Sequence, residues 1–256
     1  MGFPLVVKPI NGSLSQHVSI VKNPAELPKA IKIAQKYEPI FMVEKFFKGS
    51  LIRVSVIAQK HVFVCQRIAT NVVGNGQNSI LELINIKNTE RNLANFQKNY
   101  NSEIIENPKN LQPKSSKIIL KPTLRQIKTD QELTEFLATQ NLNLGSIPKN
   151  NQQVFLNSKI TLSRGCDILE LTDEVHPEIK AHFLKISQLL SANLVGFDLF
   201  CDDVSLPILG QNFAILEAYS CPYLNMHEHP SSGFVQKVAQ TVWQEIIKTP
   251  KLLENY

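Results

Sequence analysis

The sequence predicts an α+β fold built from short strands and amphipathic helices. Two strand-like runs, 51–58 and 61–68, flank a polar pair at 59–60, which is typical of a hairpin turn. Apolar residues recur at helical spacing in the segment 177–190, which begins with a proline. With 256 residues, the chain is long enough to bury a core in one large domain or two small lobes.

The composition indicates a globular protein of a reducing compartment. Hydrophobic residues make up 43% and charged residues 19% of the chain. A net charge of +5 suits an anionic ligand without identifying it. The four cysteines lack CxxC spacing, and the chain shows neither a signal peptide nor the ~20 apolar residues of a membrane span. We expect a cytoplasmic protein with no membrane partner and, in the absence of an RNP-type motif, no nucleic-acid partner.

The N-terminal quarter predicts a small group of strands with one helix. Residues 3–9 and 18–21 are short β-type runs. Asn23 is a suitable N-cap, followed by a proline and then by an apolar face of helical spacing. A buried strand at 39–43 leads into the segment 44–49. We expect the helix to cover one face of a sheet.

The middle of the chain has weaker patterns. Ser79 is a candidate cap for a short helix. From 89 to about 116 the chain is polar and lacks clear periodicity, which predicts a long surface excursion. A helix at 130–140, a strand at 154–156 and a final helix at 234–247 are expected further along.

Two strands in the last third each carry an acidic residue inside an apolar run. Asp198 lies in 195–200 and Glu217 in 213–218. A buried carboxylate without a partner costs several kcal/mol, so both side chains need one. Mg²⁺ between them fits, because it accepts carboxylates and leaves positions for phosphate and water. Pairing with a lysine or arginine, or exposure at a sheet edge, is the alternative, and the pair in parallel contexts favours the metal.

Lys8 closes an apolar strand just before a polar turn that contains Gly12 and Ser13. A lysine in this position can reach a phosphate held by the N–H groups of the turn. The alternative is a strand-end lysine whose amine reaches water. The turn is not a P-loop, since GxxxxGK[ST] does not occur.

The segment Glu44, Lys45 and Phe46 leaves the strand 39–43 as a candidate hinge. Its backbone groups could pair with the edge of an adenine while Met42 and Phe46 enclose the ring. The alternative is an ordinary exit from core to surface.

Two arginines and a histidine-rich segment complete the candidates. Arg53 and Arg67 lie on adjacent strands and could face one cleft, although cross-strand pairing with an acid would also explain either one. His227, Glu228 and His229 have the composition of a metal cluster. Histidines two apart share a face only in a strand and no third ligand is evident, so we do not expect a metal there.

The order of these segments resembles the ATP-grasp family, in which a phosphate lysine, a glycine-rich loop, an adenine hinge and two metal acids follow one another. Four segments resemble cyanophycin synthetases more closely, and the first of these four also resembles the ATP-grasp half of bifunctional glutathione synthetases. The segments concerned are RIATNVVGNGQNSILELI (67–84), LTDEVHPE (171–178), GFDLFCDDVS (196–205) and NMHEHPSSG (225–233).

The resemblance implies an ATP-grasp-like fold, with mainly antiparallel sheets in two lobes that hold the nucleotide between them. Residues 1–47 would form the small lobe, and 48–256 the C-terminal lobe with the polar excursion. The implied activity is carboxylate–amine ligation through an acyl phosphate, with ATP and Mg²⁺ as cofactors and an amino acid or peptide as substrate. The implied roles are phosphate binding by Lys8, Gly12 and Ser13, adenine binding by Glu44, Lys45 and Phe46, Mg²⁺ binding by Asp198 and Glu217, and charge stabilisation by Arg53 and Arg67.

Several family positions differ in this chain, which raises the alternative of a degenerate ATP-grasp module that binds nucleotide or serves a structural role. A third metal ligand, usually asparagine, falls at Tyr219, and an arginine near the transferred phosphate falls at Asn157. The phosphate loop has one glycine, and a nearby family asparagine and double glycine fall at Thr161 and Gly165-Cys166. The family also has an earlier segment with another phosphate lysine, which a partner chain could supply.

Overall fold

The computed structural model describes residues 2–11, 17–103 and 123–250, and for 94–103 it describes the backbone alone. The strands are β1 (Leu5–Pro9), β2 (Ser19–Val21), β3 (Phe41–Lys45), β4 (Ser50–Ile57), β5 (His61–Ile68), β6 (Asn71–Val73), β7 (Gln153–Phe155), β8 (Asp167–Glu170), β9 (Leu194–Cys201) and β10 (Phe213–Tyr219). The helices are α1 (Leu27–Gln35), α2 (Ile80–Glu103), α3 (Gln131–Ala138), α4 (Pro177–Leu189), α5 (Asn225–Glu228) and α6 (Val238–Lys248).

The chain forms two compact units. The first contains Met1–Val64, Leu171–Pro222 and Glu245–Tyr256, and the second contains Cys65–Glu170 and Tyr223–Gln244. The predicted small lobe, 1–47, falls inside the first unit. Its separation from the rest of the chain as a lobe stays a prediction.

A three-stranded antiparallel sheet with the order β2-β1-β3 opens the first unit. Its inner face, which includes Leu5 and Val7, packs on Ala30 and Ala34 of α1. The side chain of Asn23 accepts a hydrogen bond from the N–H of Ala25 at 3.1 Å and so caps the short 3-10 turn that precedes α1. The predicted strands, cap and covering helix are all present.

The first unit also contains β9, which pairs antiparallel with β10 on one side and β4 on the other. The chain turns from β4 into β5 at Ala58 and Gln59, whose φ values of 51° and 55° are those of a tight hairpin. One face of this sheet packs on α4, where the ring centroids of Phe183 and Phe197 lie 5.0 Å apart. The predicted hairpin and both acid-bearing strands are confirmed.

The second unit joins two antiparallel strand pairs to α2 and α3. The second half of β5 pairs with β8, and β6 pairs with β7. Ser79 and Glu82 form a reciprocal cap at the start of α2, with the carboxylate of Glu82 accepting from the N–H of Ser79 at 2.7 Å. Apolar side chains of α2, α3 and the β6–β7 pair form the core of the unit.

The first half of the excursion predicted from 89 to 116 is helical. Residues 89–103 continue helix α2, which is 24 residues long, and 104–116 lie outside the described residues. Among the ranges that the structure describes, no helix combines the length and apolar character needed to cross a bilayer.

Candidate functional site

The outer face of the N-terminal sheet carries a pair of oppositely charged side chains next to apolar ones. Register places Lys8 opposite Met42 and Val6 opposite Glu44, so these four side chains share the face that α1 leaves uncovered. The amine of Lys8 lies 2.8 Å from a carboxylate oxygen of Glu44. Met42 is 37% exposed. The face thus offers an amine, a carboxylate and apolar surface side by side.

The structure describes only some of the other residues that were predicted to contact the nucleotide. The N–H of Phe46 donates to the carbonyl of Pro4 at 3.3 Å, which ties the hinge to the start of β1. The amine of Lys45 lies 5.5 Å from the ring centroid of Phe47. Gly12 and Ser13 lie outside the described residues.

A β-bulge in β10 brings the two acidic strands into a common arrangement. Ile215 pairs with Leu199, but the next pair joins Glu217 to Asp198, so one residue of β10 is inserted without a partner. Without this insertion Leu216 would lie opposite Asp198. The bulge therefore turns Glu217 and Tyr219 onto the face that carries Asp198.

Asp198 is buried between an arginine and a tyrosine. Arg53 lies directly opposite it on β4, and the Nε of Arg53 donates to Oδ1 of Asp198 at 2.6 Å. The hydroxyl of Tyr219 lies 3.1 Å from Oδ2 of Asp198 and also contacts the carboxylate of Glu217. The guanidinium carbon of Arg53 lies 4.8 Å from the centroid of the Tyr219 ring. We call Arg53, Asp198, Glu217 and Tyr219 the acid cluster.

The acid cluster concentrates negative charge around one phenol. Burial, the hydrogen bond to Glu217 and the charge of Asp198 raise the pKa of Tyr219, while Arg53 opposes this shift. The hydroxyl stays protonated, and its single proton can serve only one of the two carboxylates at a time. The cluster brings the two predicted metal acids together, as expected, and it also fills the space between them with a tyrosine. Arg53 forms a cross-strand ion pair with Asp198, which is the alternative role that the sequence analysis left open for it.

Known proteins are similar to this chain in sequence and in fold. A family model described as "D-ala D-ala ligase C-terminus" matches residues 1–129, half of the chain. The chain belongs to this ATP-grasp family. The predicted resemblance is confirmed.

Individual relatives agree with this assignment. Cyanophycin synthetase of Crocosphaera subtropica is 28% identical over 94% of this chain and 25% of its own length. The glutathione biosynthesis bifunctional protein GshAB of Clostridium perfringens is 27% identical over 93% of this chain and 28% of its own length. The chain thus spans about a quarter of these relatives.

A solved structure supports the predicted fold. The bifunctional glutathione synthetase of Pasteurella multocida superposes with a TM-score of 0.66 at 24% identity, covering 95% of this chain and 31% of that protein. The similarity confirms the α+β, ATP-grasp fold class.

The ATP-grasp position expected to hold an arginine has a local structural role here. The side-chain oxygen of Asn157 accepts from the N–H of Lys159 at 2.7 Å, and its amide faces Glu132. Arg164, seven residues on, pairs instead with Asp130 at 2.5 Å and with Glu132. The second unit therefore has an arginine in this stretch, Arg164, that the sequence analysis did not select as a candidate.

Arg67 lies in the second unit, opposite Ile168. Burial raises the pKa of the Cys166 thiol to about 12, with the charge of Arg67 acting in the opposite direction. Cys166 is therefore a buried neutral thiol. The proposed catalytic role of Arg67 stays a prediction.

Two acids that the sequence argument missed are the centres of polar networks in the second unit. Asp167 accepts from Arg91 at 2.6 Å and from Lys87 at 2.5 Å. Glu170 faces His227 at 2.9 Å. Both acids lie within the apolar run DILEL, so the criterion that selected Asp198 and Glu217 would also have found them.

His227, Glu228 and His229 do not act as one cluster through all three side chains. The carboxylate of Glu228 accepts from the N–H of Ala239 at 2.7 Å, near the start of α6. The expectation that no metal binds at this triplet stays a prediction. The side chain of His227 turns towards Glu170 of β8.

Proposed function

We propose that this ATP-grasp chain binds Mg²⁺-ATP and forms part of a carboxylate–amine ligase. In the proposed reaction a substrate carboxylate oxygen attacks the γ-phosphorus and ADP leaves. An amine then attacks the acyl phosphate and inorganic phosphate leaves. The observation that carries the proposal is the acid cluster, in which Asp198 and Glu217 share one face beside Arg53.

The acid cluster has the donor set that Mg²⁺ requires. Carboxylate oxygens are hard ligands, and one or two of them together with phosphate oxygens and water make a common Mg²⁺ site. When bound, Mg²⁺ would neutralise charge on the phosphate oxygens. Asp198 and Glu217 would hold it, and Arg53 would limit the charge of the site while orienting Asp198 through its Nε.

The N-terminal sheet supplies features suited to the nucleotide. Lys8 provides a cation for phosphate, and Met42 with Val6 provides apolar surface of the kind that a base covers. Glu44 holds the amine of Lys8 in place on this face and would release it to a phosphate. Catalysis in this scheme is positioning and charge stabilisation by cations.

The substrate class follows from the relatives, whose names are those of cyanophycin synthetase and a glutathione biosynthesis protein. We infer an amino acid or peptide as the substrate. The chain spans about a quarter of these relatives. We also propose a partner chain as one source of further ATP-grasp segments.

The activity test measures ADP released from Mg²⁺-ATP in the presence of pooled amino acids. Wild type should release ADP, and Asp198→Asn, which keeps the shape of the side chain and removes its charge, should lower the rate by ~10²–10³. Cys201→Ala, another buried change on β9, is the matched control and should keep the rate. Equal rates in wild type and Asp198→Asn would refute the assignment of Asp198.

A second candidate, a nucleotide-binding module without turnover, is favoured by Tyr219. Its hydroxyl contacts both carboxylates of the proposed metal site, and Arg53 occupies the second oxygen of Asp198. Mg²⁺ would have to displace this phenol to contact both acids. The cluster as it stands compensates much of its charge without a metal.

Tyr219→Asn separates the two candidates, because it removes the phenol and introduces an oxygen ligand. If the tyrosine prevents metal binding, Mg²⁺ should strengthen ATP binding in the variant by at least about tenfold more than in wild type. Tyr219→Phe, which removes only the hydroxyl, serves as the control for the volume of the ring. An equal Mg²⁺ effect in all three proteins, with ADP release by wild type, would exclude the module without turnover.

A further inference from the structure

A second group of metal-ligating side chains lies in the second unit, independent of the acid cluster. Cys65 on β5, Glu170 on β8 and His227 on α5 place a sulfur, a carboxylate oxygen and a ring nitrogen within 4.8 Å of one another. Their exposed fractions are 0%, 2% and 0%. Three potential ligands thus converge in the interior from three different elements.

Strand pairing and backbone contacts bring the three residues together. Cys65 and Glu170 are direct cross-strand partners, so they project from the same face of their strand pair. The segment that follows His227 is bound to β8, because the N–H of Glu170 donates to the carbonyl of Ser232 at 2.9 Å. Gly233 approaches so closely that a Cβ there would lie 2.3 Å from the carbonyl oxygen of Glu170. The backbone around the three residues is therefore held in place by strand pairing and close packing.

We propose that Cys65, Glu170 and His227 bind a zinc ion. Zn²⁺ takes thiolate, imidazole and carboxylate ligands, whereas the hard ions Mg²⁺ and Ca²⁺ do not select a cysteine. On binding, the thiol of Cys65 loses its proton to solvent. Zn²⁺ with one thiolate, one carboxylate and one neutral imidazole is uncharged, which suits surroundings formed by Leu124, Ile168 and Met226.

The observed spacing requires only a small adjustment. Nδ1 of His227 lies 2.9 Å from Oε2 of Glu170. Two ligands bound tetrahedrally to one Zn²⁺ at their usual bond lengths are separated by about 3.3 Å. A widening of about 0.4 Å lies within the reach of side-chain torsions. The three residues would fill three of four positions and leave one for water or a small anion.

The test uses the whole protein produced in zinc-supplemented medium, because a buried site fills most readily during folding. Elemental analysis should find about one zinc per chain. After chelation, Co²⁺ added to the protein should produce the near-ultraviolet absorption of a thiolate–cobalt bond, and Zn²⁺ should abolish it. A folded wild-type protein that retains no zinc and shows no cobalt–thiolate absorption would overturn the proposal and leave a metal-free Glu170–His227 contact.

Cys65→Ala identifies the ligand, because it removes the thiol at little cost in volume. It should abolish the thiolate absorption and weaken zinc binding by at least about 100-fold. Cys166→Ala, which removes another buried thiol of the same unit, should bind as wild type does. Zinc should also raise the melting temperature of wild type and Cys166→Ala. Absorption that persists in Cys65→Ala, or zinc stabilisation that is lost in Cys166→Ala instead, would refute the assignment.

Discussion

Replacing Arg53 by methionine should be among the most destabilising single changes in the first unit. The substitution keeps an unbranched side chain and removes the guanidinium that neutralises Asp198, which is only 3% exposed. Removing one partner of a buried ion pair typically costs about 3–5 kcal/mol, because the other charge stays buried without compensation. The contact with the Tyr219 ring at 4.8 Å is lost as well, at about 0.5–2 kcal/mol. We therefore expect a loss of about 4 kcal/mol or more.

The assay is urea denaturation followed by far-ultraviolet circular dichroism, with the free energy of unfolding taken from the midpoint and slope. Lys60→Met is the matched control. Lys60 pairs with Glu245 at 3.1 Å, but its side chain is 62% exposed, so the loss should stay below about 1 kcal/mol. The double variant Arg53→Met with Asp198→Leu should recover most of the stability, since both charges are then absent. If Arg53→Met costs no more than Lys60→Met, the argument that Asp198 is a buried charge in need of a cation is wrong.

Three further predictions test other parts of the structure. Hydrogen bonds from Lys60 and Lys248 hold the pKa of Glu245 at about 2, against an ordinary value of 4.5. The stabilisation that these bonds provide is therefore complete above pH 4.5 and is lost as the pH falls towards 2. The free energy of unfolding of wild type should fall over this pH range, and that of Glu245→Gln should fall less. Cys221 is exposed while Cys65, Cys166 and Cys201 are buried, so a thiol reagent should modify about one thiol per native chain quickly, and Cys221→Ser should remove that fast phase. Gly233 and Gly210 have similar φ values of 91° and 94°, but an added Cβ would meet nothing within 4 Å at Gly210 and would lie 2.3 Å from a carbonyl oxygen at Gly233. Gly210→Ala should therefore lower the free energy of unfolding by about 1–2 kcal/mol, and Gly233→Ala should lower it by clearly more. Equal losses in the two variants would show that the close approach at Gly233 does not matter.

Local sequence patterns predicted most of the first unit. The hairpin turn and the cap at Asn23 are local features. The cap is present where the pattern places it, and the turn lies at Ala58 and Gln59, one residue before the predicted pair at 59–60. The acid-bearing strands were also identifiable, because an acid inside an apolar run requires a partner whatever the topology. These elements depend on short-range chemistry that a single sequence contains.

Helix α2 was predicted too short because its second half has no continuous apolar face. Residues from 89 onwards are mostly polar, and only Leu93, Phe96 and Tyr100 recur at helical spacing, which is too sparse a pattern to extend the predicted helix. In the structure Lys87 and Arg91 anchor this helix through Asp167, 80 and 76 residues away in sequence. Ion pairs to a residue so far away in sequence leave no local pattern that could have indicated the helix at these positions.

The composition of the acid cluster depends on the bulge in β10, which the sequence does not reveal. An insertion of one residue decides whether Leu216 or Glu217 lies opposite Asp198. The sequence predicted that the two acids would meet, but it did not predict that Tyr219 would place its hydroxyl against both. Pairing register is a property of the folded sheet, because neighbouring strands together determine it.

Equilibrium binding of Mg²⁺-ATP, measured by calorimetry, tests the central claim most directly. Wild type should bind, and Lys8→Met should weaken binding by at least about tenfold, since a charge-assisted contact to phosphate is lost. Lys29→Met, the same change at an exposed position of α1, should leave the affinity unchanged. No heat of binding in wild type, or equal affinities in Lys8→Met and Lys29→Met, would contradict the account.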